Sequence, residues 1–182
     1  MKATIFLGMS LDGFIARRDD TIDFLEAVQP DARPMEDTFT PFFATVDVLL
    51  MGRRTFDVLI GFGLDKWPYG DKPLVVLSRS LRTETLPPGT PPSVRVMAGE
   101  PAEVFAALAA EGCGHVYVDG GVTARAFLAA GLVTDLVVTW VPVLVGEGRS
   151  LWGPLPKDVA LRLEGAAEVG GGMVQARYSV VR

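Results

Sequence analysis

The side chains able to do chemistry in this 182-residue chain gather where apolar runs end. Three junctions share the property: Met51-Gly52-Arg53-Arg54-Thr55-Phe56, Leu77-Ser78-Arg79-Ser80 and Val118-Asp119-Gly120-Gly121-Val122-Thr123. At Gly120-Gly121 two residues without Cβ let the backbone approach a ligand. The helix that follows offers unpaired N–H groups and the positive end of its dipole, which suits a pyrophosphate. Gly52 followed by Arg53, Arg54 and Thr55 repeats the arrangement with cations and a hydroxyl added. Ser78-Arg79 sets a guanidinium beside a hydroxyl, as a terminal phosphate requires. Taken singly each is weak, since a Gly-Gly is commonly a tight turn and an Arg beside a strand a solvated cap. Three at successive strand ends describe a phosphorylated dinucleotide laid across them. Gly121→Val is accordingly expected to abolish cofactor binding and leave the fold largely intact, its branched side chain intruding where the backbone meets pyrophosphate.

Other chemistries lack their residues. No G-x-G-x-x-G, G-x-x-x-x-G-K-[ST], C-x-x-C, H-E-x-x-H or G-x-S-x-G is present. One cysteine, Cys113, builds no intrachain disulfide, and one histidine, His115, no His-rich metal site; both read as structural, and no metal is expected. A net charge of -5 without a block of Lys or Arg argues against nucleic acid as a partner. Ala3 to Met9 is too short for a secretory segment. Nothing reaches the roughly eighteen consecutive apolar residues of a membrane helix, because Leu136 to Val145 is broken by Thr139 and Pro142. A cytoplasmic protein without a membrane anchor is expected.

The elements that must position these junctions follow from hydrophobic pattern. Ala3–Gly8, Val46–Met51, Pro73–Ser78, Val116–Asp119 and Leu136–Val141 are apolar, β-rich runs suited to strands buried on both faces. Helical patterns alternate with them at Thr38–Thr45, Arg54–Ile60, Ala102–Ala110 and Thr123–Ala130. That order predicts an α/β fold with an open, mostly parallel sheet, helices on both faces and ligands at the carboxyl ends of strands. Ala160–Ala167 and Met173–Val181, joined by Gly170, Gly171 and Gly172, predict an antiparallel hairpin at the sheet edge. Leu86–Ser93 and Gln29–Met35 read as proline-containing loops, the first exposed and stiff. With 49% hydrophobic and 21% charged residues, no repeat and no linker, residues 1–182 are expected to form one domain.

The ordered set Ser10-Leu11-Asp12-Gly13-Phe14-Ile15-Ala16, Gly52-Arg53-Arg54-Thr55-Phe56, Leu77-Ser78-Arg79, Asp119-Gly120-Gly121 and Thr139-Trp140-Val141-Pro142 … Gly146-Glu147-Gly148 resembles the dihydrofolate reductase superfamily. The branch it looks most like is the reductase (C-terminal) domain of bifunctional riboflavin-pathway deaminase/reductases, with their stand-alone bacterial relatives. The resemblance implies a three-layer αβα sandwich around a mixed, mostly parallel eight-stranded sheet. It implies an NADPH-dependent reductase of a small heterocyclic substrate, of the 5-amino-6-(5-phosphoribosylamino)uracil reductase type. No deaminase zinc motif is present, so only the reductive step is implied.

By the same resemblance, Gly52, Arg53, Arg54 and Thr55 meet the pyrophosphate and adenosine phosphates, and Gly120, Gly121, Val122 and Thr123 the pyrophosphate. Ser78 and Arg79, after Leu77, clasp the adenosine 2′-phosphate, and Gly8 and Ile15 meet the nicotinamide. Asp119 faces the substrate. The Trp and Pro that follow the first loop of ordinary dihydrofolate reductases are absent after Ile15, and their first-helix acid has only a loose counterpart in Asp23, which with Asp119 is the candidate catalytic, substrate-binding acid. Dihydrofolate reductase proper and a non-catalytic nucleotide- or pterin-binding module are the alternatives.

Among the remaining residues, Asp12 reads as a turn residue, and Asp19, Asp20 and Glu26 as a solvated acidic run around Asp23. Trp152 and Trp67-Pro68-Tyr69-Gly70 either line a pocket or plug the core. A homodimer burying the strand-rich carboxyl end, near Trp140 and Val141, is also expected.

Overall fold

The computed structural model describes residues 1–26 and 33–181. The chain runs β1 (Lys2–Ser10), β2 (Phe14–Ala16), α1 (Phe39–Ala44), β3 (Val48–Gly52), α2 (Arg53–Gly61), β4 (Leu74–Leu77) and β5 (Val94–Met97). It continues through α3 (Pro101–Ala110), β6 (His115–Asp119), α4 (Gly121–Ala129), β7 (Asp135–Val141), β8 (Arg149–Ser150), β9 (Leu161–Glu168) and β10 (Val174–Val180). The loop expected at Gln29–Met35 lies in part outside the described residues.

Strand residues alternate between two cores, which is why the runs are apolar throughout. Ile5, Leu50, Val75, Val116 and Val118 face α3 and α4 and pack with Val104, Leu108, Ala124 and Phe127. Leu49, Met51, Leu74, Val76 and Tyr117 face the other way, onto Phe56 and Leu59 of α2 and the phenylalanines of α1. A sheet covered on both faces is the three-layer sandwich expected. Truncating a fully buried side chain such as Leu50 to Ala costs about 2–5 kcal/mol.

The eight-stranded sheet has the order β5-β4-β3-β6-β1-β7-β10-β9. It is parallel from β5 to β7, then antiparallel through β10 and β9. The carboxyl-terminal hairpin is therefore present as read. β5 was not anticipated: its four residues follow a proline-rich stretch and include Arg95. Nor were β2 and β8, which pair as a separate two-stranded ribbon. Among the described residues no helix is long and apolar enough to cross a membrane.

Hydrogen bonds within the fold account for two polar residues. Asp12 accepts from the Ser10 hydroxyl (2.5 Å) and the N–H groups of Val145 (3.1 Å) and Gly146 (2.7 Å), pinning the β1–β2 turn to the loop after β7. His115, buried, lies 2.8 Å from the Thr4 hydroxyl and 3.0 Å from the Thr45 carbonyl, and burial lowers its pKa. Cys113 is half-buried, and burial raises its thiol pKa.

Candidate functional site

The carboxyl ends of β3 and β6 lie side by side, so the helices that follow them begin side by side. α3 opens on a capping box in which Glu103 accepts from the Glu100 N–H (2.9 Å). α2 and α4 open on glycines, Gly52 and Gly120, and neither has a side-chain cap. Their first-turn N–H groups are left for a ligand or for water.

The glycines are required by the protein itself. Gly120 has φ 83°, and a Cβ on it would collide with the Thr55 hydroxyl; a Cβ on Gly52 would stand 2.9 Å from the Thr123 hydroxyl. Each helix start thus packs its threonine over the other's glycine. Gly121 corrects an expectation. Its Cβ position faces Ile15 Cδ1 at 3.0 Å and the Ser150 carbonyl at 3.1 Å, so Gly121→Val disturbs packing within the fold and is no clean probe of a ligand.

Both helix starts open into one cavity of about 980 Å³. The β2–β8 ribbon covers one side of it. A Cβ on Gly148 would collide with the Ala16 carbonyl, which is why that ribbon needs a glycine, and Arg125 of α4 ties the ribbon down by donating to the Ser150 carbonyl (2.6 Å). Of the residues expected at a cofactor, Gly8, Ile15, Gly52, Arg53, Arg54, Thr55, Leu77, Gly120, Gly121, Val122 and Thr123 line this cavity, and Asp119 joins them.

Three do not. Asp23 sits in a 3₁₀ turn with its carboxylate exposed and held by Arg17 Nε (2.7 Å). Arg79 is 81% exposed at the side chain and paired with Glu100 (2.6 Å). The Ser78 hydroxyl instead accepts from the N–H of Leu81 (3.0 Å), closing the turn after β4.

Asp119 ends β6 half-buried in this cavity. Desolvation pushes its carboxyl up to about 6, against the pull of one hydrogen bond from the Gly120 N–H (2.7 Å). Tyr69, on the same cavity, has its phenol pKa raised by burial and by the Asp119 charge.

Charged groups that the sequence reading did not assign to the site also line it: Asp20, Arg125 and Arg149, together with Trp152. Arg149 follows directly on the Gly146-Glu147-Gly148 run, which was the available signal for it. The lining holds four arginines against two aspartates, in a chain of net charge -5. The cavity is electropositive on an acidic protein.

Residues 2–175 match the RibD C-terminal domain. The chain belongs to that family. Its dihydrofolate reductase-like fold is that of a Shewanella sp. PV-4 protein provisionally assigned to riboflavin biosynthesis. The two superpose with a TM-score of 0.91 over 100% of both chains, at 33% identity. A pyrimidine reductase-like protein from Corynebacterium diphtheriae shares the fold at TM-score 0.67 and 19% identity, covering 100% of this chain and 92% of that one. So does the deaminase/5-amino-6-(5-phosphoribosylamino)uracil reductase of Thermotoga maritima, at TM-score 0.66 and 12% identity, over 99% of this chain and 56% of that one. An uncharacterized Bacillus subtilis protein, YwjB, is 27% identical over 183 residues, 97% of each chain. Membership in the RibD C-terminal domain family accounts for the order of motifs along the whole chain.

Proposed function

We propose that this chain is an NADPH-dependent reductase of a small heterocyclic substrate, of the 5-amino-6-(5-phosphoribosylamino)uracil reductase type. The observation that carries the reading is the pair of uncapped helix starts, Gly52–Thr55 and Gly120–Thr123, opening into one arginine-lined cavity. Two such starts in register suit the two phosphates of a dinucleotide. The cavity volume lies at the upper end of the range for small-molecule sites, which leaves room for a second ligand.

When bound, NADPH supplies the hydride. The chain's own part is positional and electrostatic. Backbone N–H groups of α2 and α4, with Arg53 and Arg54, hold the phosphates, and Ile15 and the β2–β8 ribbon keep water out. Asp119, titrating near 6, holds a proton or a substrate N–H at its carboxyl oxygen. Recognition of the adenosine 2′-phosphate by Ser78 and Arg79 requires Arg79 to leave Glu100. The names borne by the Corynebacterium and Thermotoga relatives support a pyrimidine substrate. A folate substrate finds less support, because Asp23, the loose counterpart of the folate-binding acid, pairs with Arg17 and does not line the cavity.

Titration with NADPH and NADH, then NADPH oxidation with a panel of pyrimidine, pterin and folate substrates, tests the reading. NADPH binds more tightly and is consumed with a pyrimidine. Absence of NADPH binding sinks the proposal.

A further inference from the structure

Asp20 belongs to an acidic run that reads as solvated, yet its carboxylate holds two guanidiniums of the cavity. Arg54 donates to it from Nε (2.9 Å) and Nη2 (2.6 Å), and Arg149 from Nε (2.9 Å). Arg149 keeps its Nη2 on the Arg18 carbonyl (2.7 Å), so the fork is fixed from behind. Arg54 and Arg149 are 62% and 41% exposed at the side chain, but Asp20 only 23%: the acid is the inner member.

Its backbone supports the same view. With φ 70°, Asp20 is the one non-glycine residue in the left-handed region among the described residues, at the tip of a tight turn where Arg17 N–H donates to the Thr21 carbonyl (2.9 Å). A residue is held there when its surroundings over-determine it, and two guanidiniums on one carboxylate do so.

A carboxylate offers a guanidinium the same paired oxygens as a phosphate. Arg54 is the second residue of α2, beside the uncapped N–H groups described above. An oxyanion arriving at that helix start meets a fork already filled by the protein.

We propose that Asp20 is a built-in counter-anion, occupying between Arg54 and Arg149 the place that a phosphate group of the incoming ligand takes over. The inference rests on the reading that a phosphorylated ligand binds at this helix start. Displacement frees the Arg17–Thr21 turn to leave its left-handed conformation, so ligand entry and release of the turn are one event. Asp20 also acts as a filter. A monovalent carboxylate competes on equal terms with the resident aspartate and gains nothing, whereas a phosphate of higher charge, also served by the α2 N–H groups, wins the fork.

Calorimetric titration of the full chain with inorganic pyrophosphate tests this. Asp20→Asn keeps the shape and removes the charge; Asp20→Gly removes it and suits the left-handed backbone, so it decides the matter if Asp20→Asn fails to fold. Pyrophosphate should bind about fivefold or more tightly in both than in the wild type. Hydrogen exchange of residues 17–21 in the wild type should quicken when pyrophosphate is added. Unchanged or weaker binding in folded Asp20→Gly, or no pyrophosphate binding to any form, overturns the proposal. Parallel NADPH titrations separate the two readings. Tighter pyrophosphate without NADPH binding upholds the counter-anion and removes the cofactor, whereas NADPH binding without any pyrophosphate gain does the reverse.

Discussion

In β3 and β6 every residue but the last is buried, and that last residue, Gly52 or Asp119, faces the cavity. In β9, at the far edge of the same sheet, every residue but Gly165 is exposed, and neither β9 nor β10 contributes to the cavity lining. The two regions differ in composition, charged at β9 and apolar at β3 and β6, and they differ also in their connections. A parallel strand must be followed by a crossover, and a helical crossover sets a helix N-terminus at the strand's carboxyl end. A hairpin returns through a tight turn and delivers no helix. Anion-binding capacity in this molecule therefore follows from how strands are joined.

The sharpest way to break the comparison is one substitution made in both regions. Gly120→Ala should destabilise the protein by on the order of 3 kcal/mol, from left-handed strain together with the collision with Thr55. Gly165→Ala, where a Cβ would meet only Arg177 at 3.5 Å, should stay within about 0.5 kcal/mol. Urea denaturation of both variants decides it, and equal losses would mean that the helix starts are no more constrained than the hairpin.

Next comes Asp119→Asn, expected to lower kcat/KM roughly a hundredfold while NADPH affinity holds. Its pH dependence has a definite sign. A carboxyl of pKa about 6 when folded and 3.8 when unfolded binds its proton more tightly in the fold, so the stability this one group contributes falls as pH rises from about 4 to 6 and then levels. That slope should appear in the difference between wild type and Asp119→Asn, as thermal melts of both across that range would reveal.

A smaller effect is expected at Arg79, which lies outside the cavity lining and pairs with Glu100. Arg79→Ala should narrow the preference for NADPH over NADH by about tenfold in measured Kd values. An unchanged preference would leave its Glu100 pair as its whole role.

Smallest in stability is the outer edge. The homodimer is proposed to bury the hairpin, where Leu161, Leu163 and Val174 are exposed. Leu163→Arg should leave folding stability within about 0.5 kcal/mol yet yield a monomer by light scattering. A wild type that is already monomeric removes the dimer.

Strands buried on both faces were legible because their apolar runs need no partner information to be recognised. β5 was not, being four residues long behind prolines and carrying Arg95. At the site, Gly52–Thr55 and Gly120–Thr123 were legible because a glycine before a helix has few other uses. Their glycines also answer to packing, which the sequence did not reveal, since the neighbours they admit are Thr123, Thr55 and Ile15, contacts made across the fold. Long side chains were the least legible. Arg149 reaches Asp20 from 129 positions away, while Arg79 and Asp23 turn to Glu100 and Arg17 instead of the cavity.

The position of β1 has a consequence in time. It pairs on one side with β6 and on the other with β7, and its Thr4 meets His115, 111 positions along the chain. During synthesis β1, an apolar strand, must wait without these neighbours until residues 115–141 have followed it. Contacts so distant in sequence slow folding, because the closure entropy of a long loop is met before any pairing rewards it. The shelf formed by Gly52 and Thr55 is complete only once Gly120 and Thr123 arrive, so the two helix starts assemble together, after β6 has been made.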